Sequence, residues 1–274
     1  MKTEKVRIDT LLVDRGFFDT REKAKRAIMA GIVYSNEVRL DKPGEKVASD
    51  LPITIKGKQM PYVSRGGYKL EKALKEFDLA VKDKVIIDIG ASTGGFTDCA
   101  LQNGAKYSYA IDVGYNQLAW KLRQDERVIV MERTNFRYLK REDLLKELPE
   151  FACIDVSFIS LKLILPALKP ILVSNADIVA LIKPQFEAGK ELVGKKGIVR
   201  DKKVHQQVID EIVNFSLKTG YDVENITFSP ITGGDGNIEF LIHLKKPEAQ
   251  RQGENHLFIS IEKIVEKAHD QLQK

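Results

Sequence analysis

Between positions 84 and 245 the chain alternates short, continuous apolar runs with longer segments whose apolar residues recur at helical spacing. The runs end near Ile89, Asp112, Val130, Asp155, Ile182, Phe228 and Leu244. Short runs rich in β-branched residues and apolar at successive positions are strands buried on both faces. Helices between them imply an α/β domain with a doubly wound, mostly parallel seven-stranded sheet. The last two runs flank Gly233-Gly234-Asp235-Gly236-Asn237, a glycine-rich turn and not a helical crossover. That connection predicts a hairpin, and so one antiparallel strand at the end of the sheet. Ahead of the first run, Ser64-Arg65-Gly66-Gly67-Tyr68-Lys69-Leu70 opens a helix that continues through Phe77. Beyond the last run, residues 257–274 carry Ile259, Ile261, Ile264 and Val265 in a helical pattern.

The segment before position 59 has its own pattern. Ile8, Leu11, Leu12 and Val13 predict a short amphipathic helix that also carries Arg7 and Arg15 and ends at Gly16. Asp19 or Thr20 can cap a second helix, Arg21 to Ala30, with Gly31 just past its end. Alternating segments at Ile32 to Val38 and Leu51 to Lys56 predict strands. Pro61 marks a linker in Gln59-Met60-Pro61-Tyr62. The expected division is a small α/β module over 1–58, a linker over 59–67, the sheet domain over 68–246 and a helical tail over 247–274.

Charge sharpens this division. The net charge is +5, and residues 1–60 hold 13 Lys/Arg against 9 Asp/Glu, so the basic excess per residue sits in the small module. An anionic partner suits it. Two cysteines, Cys99 and Cys153, give neither a disulfide framework nor metal-site spacing, so no metal is expected. The most apolar window, Leu161 to Ile182, is interrupted by Lys162, Pro166, Lys169, Pro170, Asn175 and Asp177. It cannot span a bilayer as one helix. The start, Met-Lys-Thr-Glu-Lys, lacks an apolar targeting stretch, so the expected location is cytoplasmic. Oligomeric state leaves no mark in the sequence.

The densest chemistry follows the first strand, in Asp88-Ile89-Gly90-Ala91-Ser92-Thr93-Gly94-Gly95-Phe96. Glycines at the carboxyl end of a buried parallel strand let backbone approach a bound molecule. The acid Asp88 suits a ligand with an amino group. Asp112, closing the second strand, is placed to accept hydrogen bonds from ribose hydroxyls. A dinucleotide fingerprint needs glycine two residues after the first, where this chain has Ser92. S-adenosylmethionine, without a pyrophosphate and with a cationic methionine end, fits better. Gly90, Ala91, Ser92, Gly94, Gly95 and Phe96 are assigned to its methionine end, and Asn135, after the third strand, to the neighbourhood of its adenine.

Four further residues fall where such a sheet converges its side chains: Lys69 in the opening helix, Asp155 and Lys183 at strand ends, and Glu239 after the glycine turn. Singly, a strand-end Asp is often a helix cap and a Lys before proline is often solvated. Together, in the settings Gly67-Tyr68-Lys69-Leu70 and Ile182-Lys183-Pro184, they resemble the Lys-Asp-Lys-Glu tetrad of the FtsJ/RrmJ-like ribose 2′-O-methyltransferases. In the small module, Thr20-Arg21-x-x-Ala24 followed by Ile28-x-x-Gly31-x-Val33 and Asn36 resembles the S4 RNA-binding domain. The combination is similar to the TlyA family, also described as hemolysin A. The resemblance implies a class I methyltransferase fold, ribosomal RNA or a ribosomal subunit as partner, and Lys69, Asp155, Lys183 and Glu239 as catalytic residues. Arg7, Arg15, Arg21 and Lys25 are then expected at phosphates, with Arg65 near the domain junction. A non-catalytic ribosome-assembly factor, or a membrane-active hemolysin, would be the alternative. The sequence has neither spanning helices nor barrel-type alternation, which disfavours the second.

Overall fold

The computed structural model describes residues 5–29, 31–36, 38–56, 60–194, 196–233 and 236–272. Ala30, Gln59, Gly234 and Asp235, which figured in the expected helix end, linker and turn, lie outside them. The chain falls into two compact units, 1–61 and 62–274.

The first unit contains β1 (Lys5–Arg7), α1 (Ile8–Asp14), α2 (Arg21–Met29), β2 (Val33–Ser35), β3 (Val38–Arg39), β4 (Lys46–Ala48) and β5 (Thr54–Ile55). Strands β3, β2 and β5 form one antiparallel sheet, and β1 pairs with β4 in another. Ile8, Leu11, Leu12, Phe18, Ala24, Ala27, Ile28, Val33 and Val47 form its core. The strand pair β1–β4 went unseen in the sequence because each strand is three residues long, too short to show alternation. Arg7 therefore ends a strand rather than belonging to the first helix.

The second unit runs α3 (Gly66–Glu76), β6 (Val85–Ile89), α4 (Gly95–Gln102), β7 (Tyr107–Ile111), α5 (Trp120–Arg123), β8 (Val128–Met131), β9 (Phe151–Ile154), α6 (Leu161–Leu168), β10 (Asp177–Ile182), α7 (Pro184–Glu187), α8 (Lys202–Lys218), β11 (Asp222–Phe228), β12 (Phe240–Lys245) and α9 (Ile261–Leu272). Its sheet has the order β11-β12-β10-β9-β6-β7-β8. Strand β12 runs antiparallel to both β10 and β11, while the remaining pairs are parallel. The reversed strand thus lies inside the sheet, and the connection to it, 229–239, is longer than its glycine turn alone.

Both faces are covered, which explains the unbroken apolar runs. Ile87, Ile89, Tyr109 and Ile178 pack with residues of α6, α8 and α9. Ile86, Ala110, Val179 and Leu181 pack with Leu70 and Ala73 of α3 and Cys99 of α4. Tyr62 packs directly against helix α3 because Gly67 has no side chain: a Cβ there would sit 2.3 Å from the Tyr62 ring. Helix α9 buries Ile264, Val265 and Ala268, so part of the tail adds to this core. Both cysteines are buried free thiols.

Candidate active site

Parallel strands deliver their carboxyl ends to one edge of the sheet, and the functional side chains gather there. Lys69 comes from the first turn of α3, Asp155 follows β9, and Lys183 follows β10, just before Pro184 begins α7. Glu239 reaches the same edge from the start of β12, because that strand runs the opposite way.

These four side chains make a continuous charge chain. Lys183 Nζ lies 2.6 Å from Asp155 Oδ1, Lys69 Nζ 3.1 Å from Asp155 Oδ2, and Lys69 Nζ 2.8 Å from Glu239 Oε2. Lys183 also donates to Ser157 Oγ at 2.9 Å. Lys69, Lys183 and Glu239 are buried, so each charge requires its partner. Burial pushes Lys69 toward the neutral amine, yet Asp155 and Glu239 together raise its pKa. Burial likewise works to protonate Asp155, but Lys69 and Lys183 hold its carboxyl below the ordinary range. The chain is therefore three ion pairs in which Asp155 and Lys69 are each shared.

The glycine turn forms the facing wall. Gly90 has φ +84°, and a Cβ on it would lie 2.5 Å from the carbonyl oxygen of Asp155, so glycine is required where strands β6 and β9 end. At Gly95 a Cβ would meet Ser64 Oγ at 2.3 Å and Gly67 N at 2.8 Å. Ser92 also takes positive φ, +49°, and its N–H donates to Asp112 Oδ2 at 2.8 Å, while Gly114 N–H donates to Oδ1 at 2.7 Å. Asp112 thus braces the turn. A carboxylate has further lone pairs, so it can still accept from a ligand.

Asp88 is the buried acid of this wall. Its Oδ2 accepts from Thr97 N at 3.0 Å and Thr97 Oγ1 at 2.7 Å, while its Oδ1 has no partner among the described residues. Burial pushes its pKa up to about 7. The stability linked to the protonated form is therefore complete below the ordinary carboxylate range and is lost as pH rises through about 7. Asp88→Asn is accordingly expected to raise the unfolding free energy of the ligand-free protein. The gain should grow from acidic pH toward neutrality and level off above it, reaching at most about 4 kcal/mol. Urea unfolding across pH measures this, and a gain independent of pH would refute it.

Between the two walls is a cleft of about 330 Å³ lined by Lys69, Asp155, Lys183, Glu239, Asp88, Gly90, Ala91, Ser92, Gly95, Phe96 and Arg65, among others. Gly94, Asp112 and Asn135 do not line it. Gly94 turns the chain at φ +95°, and Asn135 accepts from Arg137 N at 3.2 Å as the cap of a short turn. Ser157, Ser64, Thr93 and Thr232 line the cleft as well; isolated hydroxyl residues in loops carry no sequence signal that would single them out.

The basic residues of the first unit divide. Arg7 and Arg21 share the buried Asp9. Arg15 donates to the carbonyls of Leu51 and Ser49, and Lys25 pairs with Glu22 at 2.8 Å. Arg21 and Lys25, one turn apart on α2, are thus paired with different acids. No group of His, Cys, Asp and Glu among the described residues could hold a metal ion. No helix among them is long and apolar enough to cross a membrane.

A sheet of this order with an internal reversed strand, and a Lys-Asp-Lys-Glu chain at its carboxyl edge, defines a class I methyltransferase. The comparisons agree. Residues 62–246 match the FtsJ-like methyltransferase family and residues 6–51 the S4 domain. The chain belongs to the TlyA family of FtsJ-like methyltransferases and is an enzyme of that class. It is 66% identical, over 100% of its length and 98% of the relative, to the Bacillus subtilis protein named "Putative rRNA methyltransferase YqxC". It is 40% identical, over 88% of its length and 90% of the relative, to the Mycobacterium tuberculosis 16S/23S rRNA (cytidine-2′-O)-methyltransferase TlyA. A solved structure from Streptococcus thermophilus, described as "Putative hemolysin", matches with TM-score 0.79 and 53% identity over 99% of this chain and 98% of that one.

Proposed function

We propose that this enzyme transfers a methyl group from S-adenosylmethionine to a ribose 2′-hydroxyl of ribosomal RNA. The observation that carries this is the facing of two walls across one cleft: a glycine turn with an unpartnered buried carboxylate oxygen, and a lysine–carboxylate chain. The relatives named as rRNA methyltransferases support the choice of acceptor.

The residues present suit the cofactor. Asp88 Oδ1, buried and unpaired among the described residues, can accept from its ammonium group, and Gly90, Ala91, Ser92 and Gly95 bring backbone to the wall of the cleft. Asp112 retains acceptor capacity for ribose hydroxyls, while Asn135, off the cleft, is kept only as an outer neighbour of the adenine. When bound, the cofactor supplies an electrophilic methyl on a sulfonium. The protein must then orient a weakly acidic hydroxyl and take its proton. Lys183 is the group assigned to this step: once its ammonium has released a proton to solvent, its Nζ would take the 2′-hydroxyl proton as the methyl carbon leaves the sulfur for the ribose oxygen. Asp155 holds the ammonium that results, and Lys69 and Glu239 hold Asp155 in place. In-line positioning supplies the remainder.

Arg65, exposed at the cleft, and Arg7, Arg15, Arg21 and Lys25 in the first unit are proposed phosphate contacts, which set register without reading bases. The working boundaries proposed for the two functions are 1–58 and 68–246, with 59–67 as linker and 247–274 as tail, and the proposed location is cytoplasmic.

The test is transfer of labelled methyl to isolated small and large ribosomal subunits that lack the modification. One labelled ribose that resists alkaline cleavage of its 3′ phosphodiester is the expected result. Label in base or protein, or none with cofactor bound, would overturn the proposal.

A further inference from the structure

Within the first unit, Asp9 is an acid in an unusual place. Its side chain is 0% exposed, yet it meets two guanidinium groups that are 45% and 52% exposed. Arg7 Nε donates to Oδ1 at 3.0 Å and Arg7 Nη2 to Oδ2 at 2.9 Å, while Arg21 Nη2 donates to the same Oδ2 at 3.0 Å. The two arginines come from different elements, the end of β1 and the start of α2.

We propose that Asp9 is a positioning residue that joins Arg7 and Arg21 into one phosphodiester-binding fork; this rests on the RNA acceptor proposed above. Arg7 commits one planar edge to Asp9 and Arg21 a single N–H. Nη1 of both, and Nε of Arg21, have no partner among the described residues. Arg7 is also packed over Gly44, where a Cβ would stand 3.4 Å from its Nη1 and Nη2. Two half-exposed guanidiniums are thereby locked before any ligand arrives, and a phosphate that meets them loses less side-chain entropy than one gathering free lysines. The neighbouring cations are disposed differently. Lys23 pairs with Asp19, Lys25 with Glu22, and Arg15 with backbone carbonyls. The Arg7 bond holds the Asp9 carboxyl well below the usual range, with Arg21 adding to it, so Asp9 is ionised at neutral pH.

The proposal reverses the sign that charge alone would give. Asp9→Asn removes a negative charge beside two cations, which by Coulomb attraction should tighten RNA binding. Loss of positioning should weaken it, because the amide nitrogen can no longer accept from a guanidinium. The experiment measures binding of the full chain to unmodified ribosomal subunits across salt concentrations. Asp9→Asn is expected to raise Kd about 5- to 20-fold and to lower the salt slope by about one. In methyl transfer the loss should fall on KM for the subunit rather than on kcat.

Two further variants separate positioning from a merely structural acid. In an Arg7→Gln, Arg21→Gln background, Asp9→Asn should cost nothing more, whereas a structural role would cost the same again. Arg21→Lys, which keeps the charge and loses the planar fork, should lose most of the same affinity even if Asp9→Asn fails to fold. Unchanged or tighter binding by Asp9→Asn, additive loss in the triple variant, or full affinity in Arg21→Lys would each overturn the proposal. Failure of the unaltered protein to bind either subunit would instead remove the RNA acceptor itself.

Discussion

Lys183→Ala is expected to slow methyl transfer by about 10²- to 10⁴-fold, the range for loss of a positioned acid–base group, with cofactor affinity nearly unchanged. Lys183 Nζ is bound to Asp155 Oδ1 at 2.6 Å and Ser157 Oγ at 2.9 Å, both on the acceptor wall of the cleft. Single-turnover rates at saturating subunit, with cofactor binding measured by calorimetry, separate the two effects. Lys183→Arg refines the result. A guanidinium keeps the positive charge but does not give up its proton at accessible pH. If proton acceptance is the role, arginine should be as inactive as alanine. If Lys183 only steers the hydroxyl, arginine should recover a measurable part of the rate. A Lys183→Ala enzyme working near the normal rate would exclude Lys183 from the chemistry.

Lys69→Met should be costly for the fold. Lys69 lies between Asp155 and Glu239, which its ammonium reaches at 3.1 Å and 2.8 Å. Removing one partner of a buried ion pair typically costs about 3–5 kcal/mol, because the remaining charge is left uncompensated. The pH dependence follows from the shifts. The lowered pKa of Asp155 gives stability that is present above the ordinary carboxylate range and lost as pH falls through its folded value. The raised pKa of Lys69 gives stability that is present below its ordinary value and lost only as pH rises through the folded one. At neutral pH both contributions are intact, and the variant forfeits them. Its deficit should therefore be largest at neutral to alkaline pH and shrink toward pH of about 4, where carboxylates take up protons. Glu239→Gln added to Lys69→Met should restore part of the stability and none of the activity. A pH-independent deficit would show that Lys69 contributes packing rather than charge.

The sheet domain was legible in the sequence because its strands are buried on both sides, so each appears as an unbroken apolar run with a polar residue marking its end. Asp155 and Lys183 were visible for the same reason: a charged residue directly after such a run has few places to be except the carboxyl edge, while Asp88 stands out as the acid inside β6, two residues before Gly90. Lys69 and Glu239 became readable only through resemblance, since neither follows a parallel strand. Which strands become neighbours was beyond the pattern. The placing of β12 between β10 and β11 depends on tertiary packing and leaves no periodic trace. The arginines were legible as charge but not as geometry. Arg15 serves backbone carbonyls of a loop 34 and 36 residues away in sequence, and the buried Asp9 reads as an ordinary surface acid in a helical pattern.

Strand β12 has a consequence for how the molecule matures. It enters between two strands already synthesised, and the residue just before it, Glu239, reaches Lys69, 170 positions earlier in the chain. Until it inserts, β10 presents an open hydrogen-bonding edge and the ammonium of Lys69 lacks its nearer counter-ion. Closing the sheet and completing the charge chain are thus one event. A growing polypeptide that has not yet added this strand has the glycine turn and both lysines but not the Lys69–Glu239 pair, so the last strand to arrive completes the charge chain.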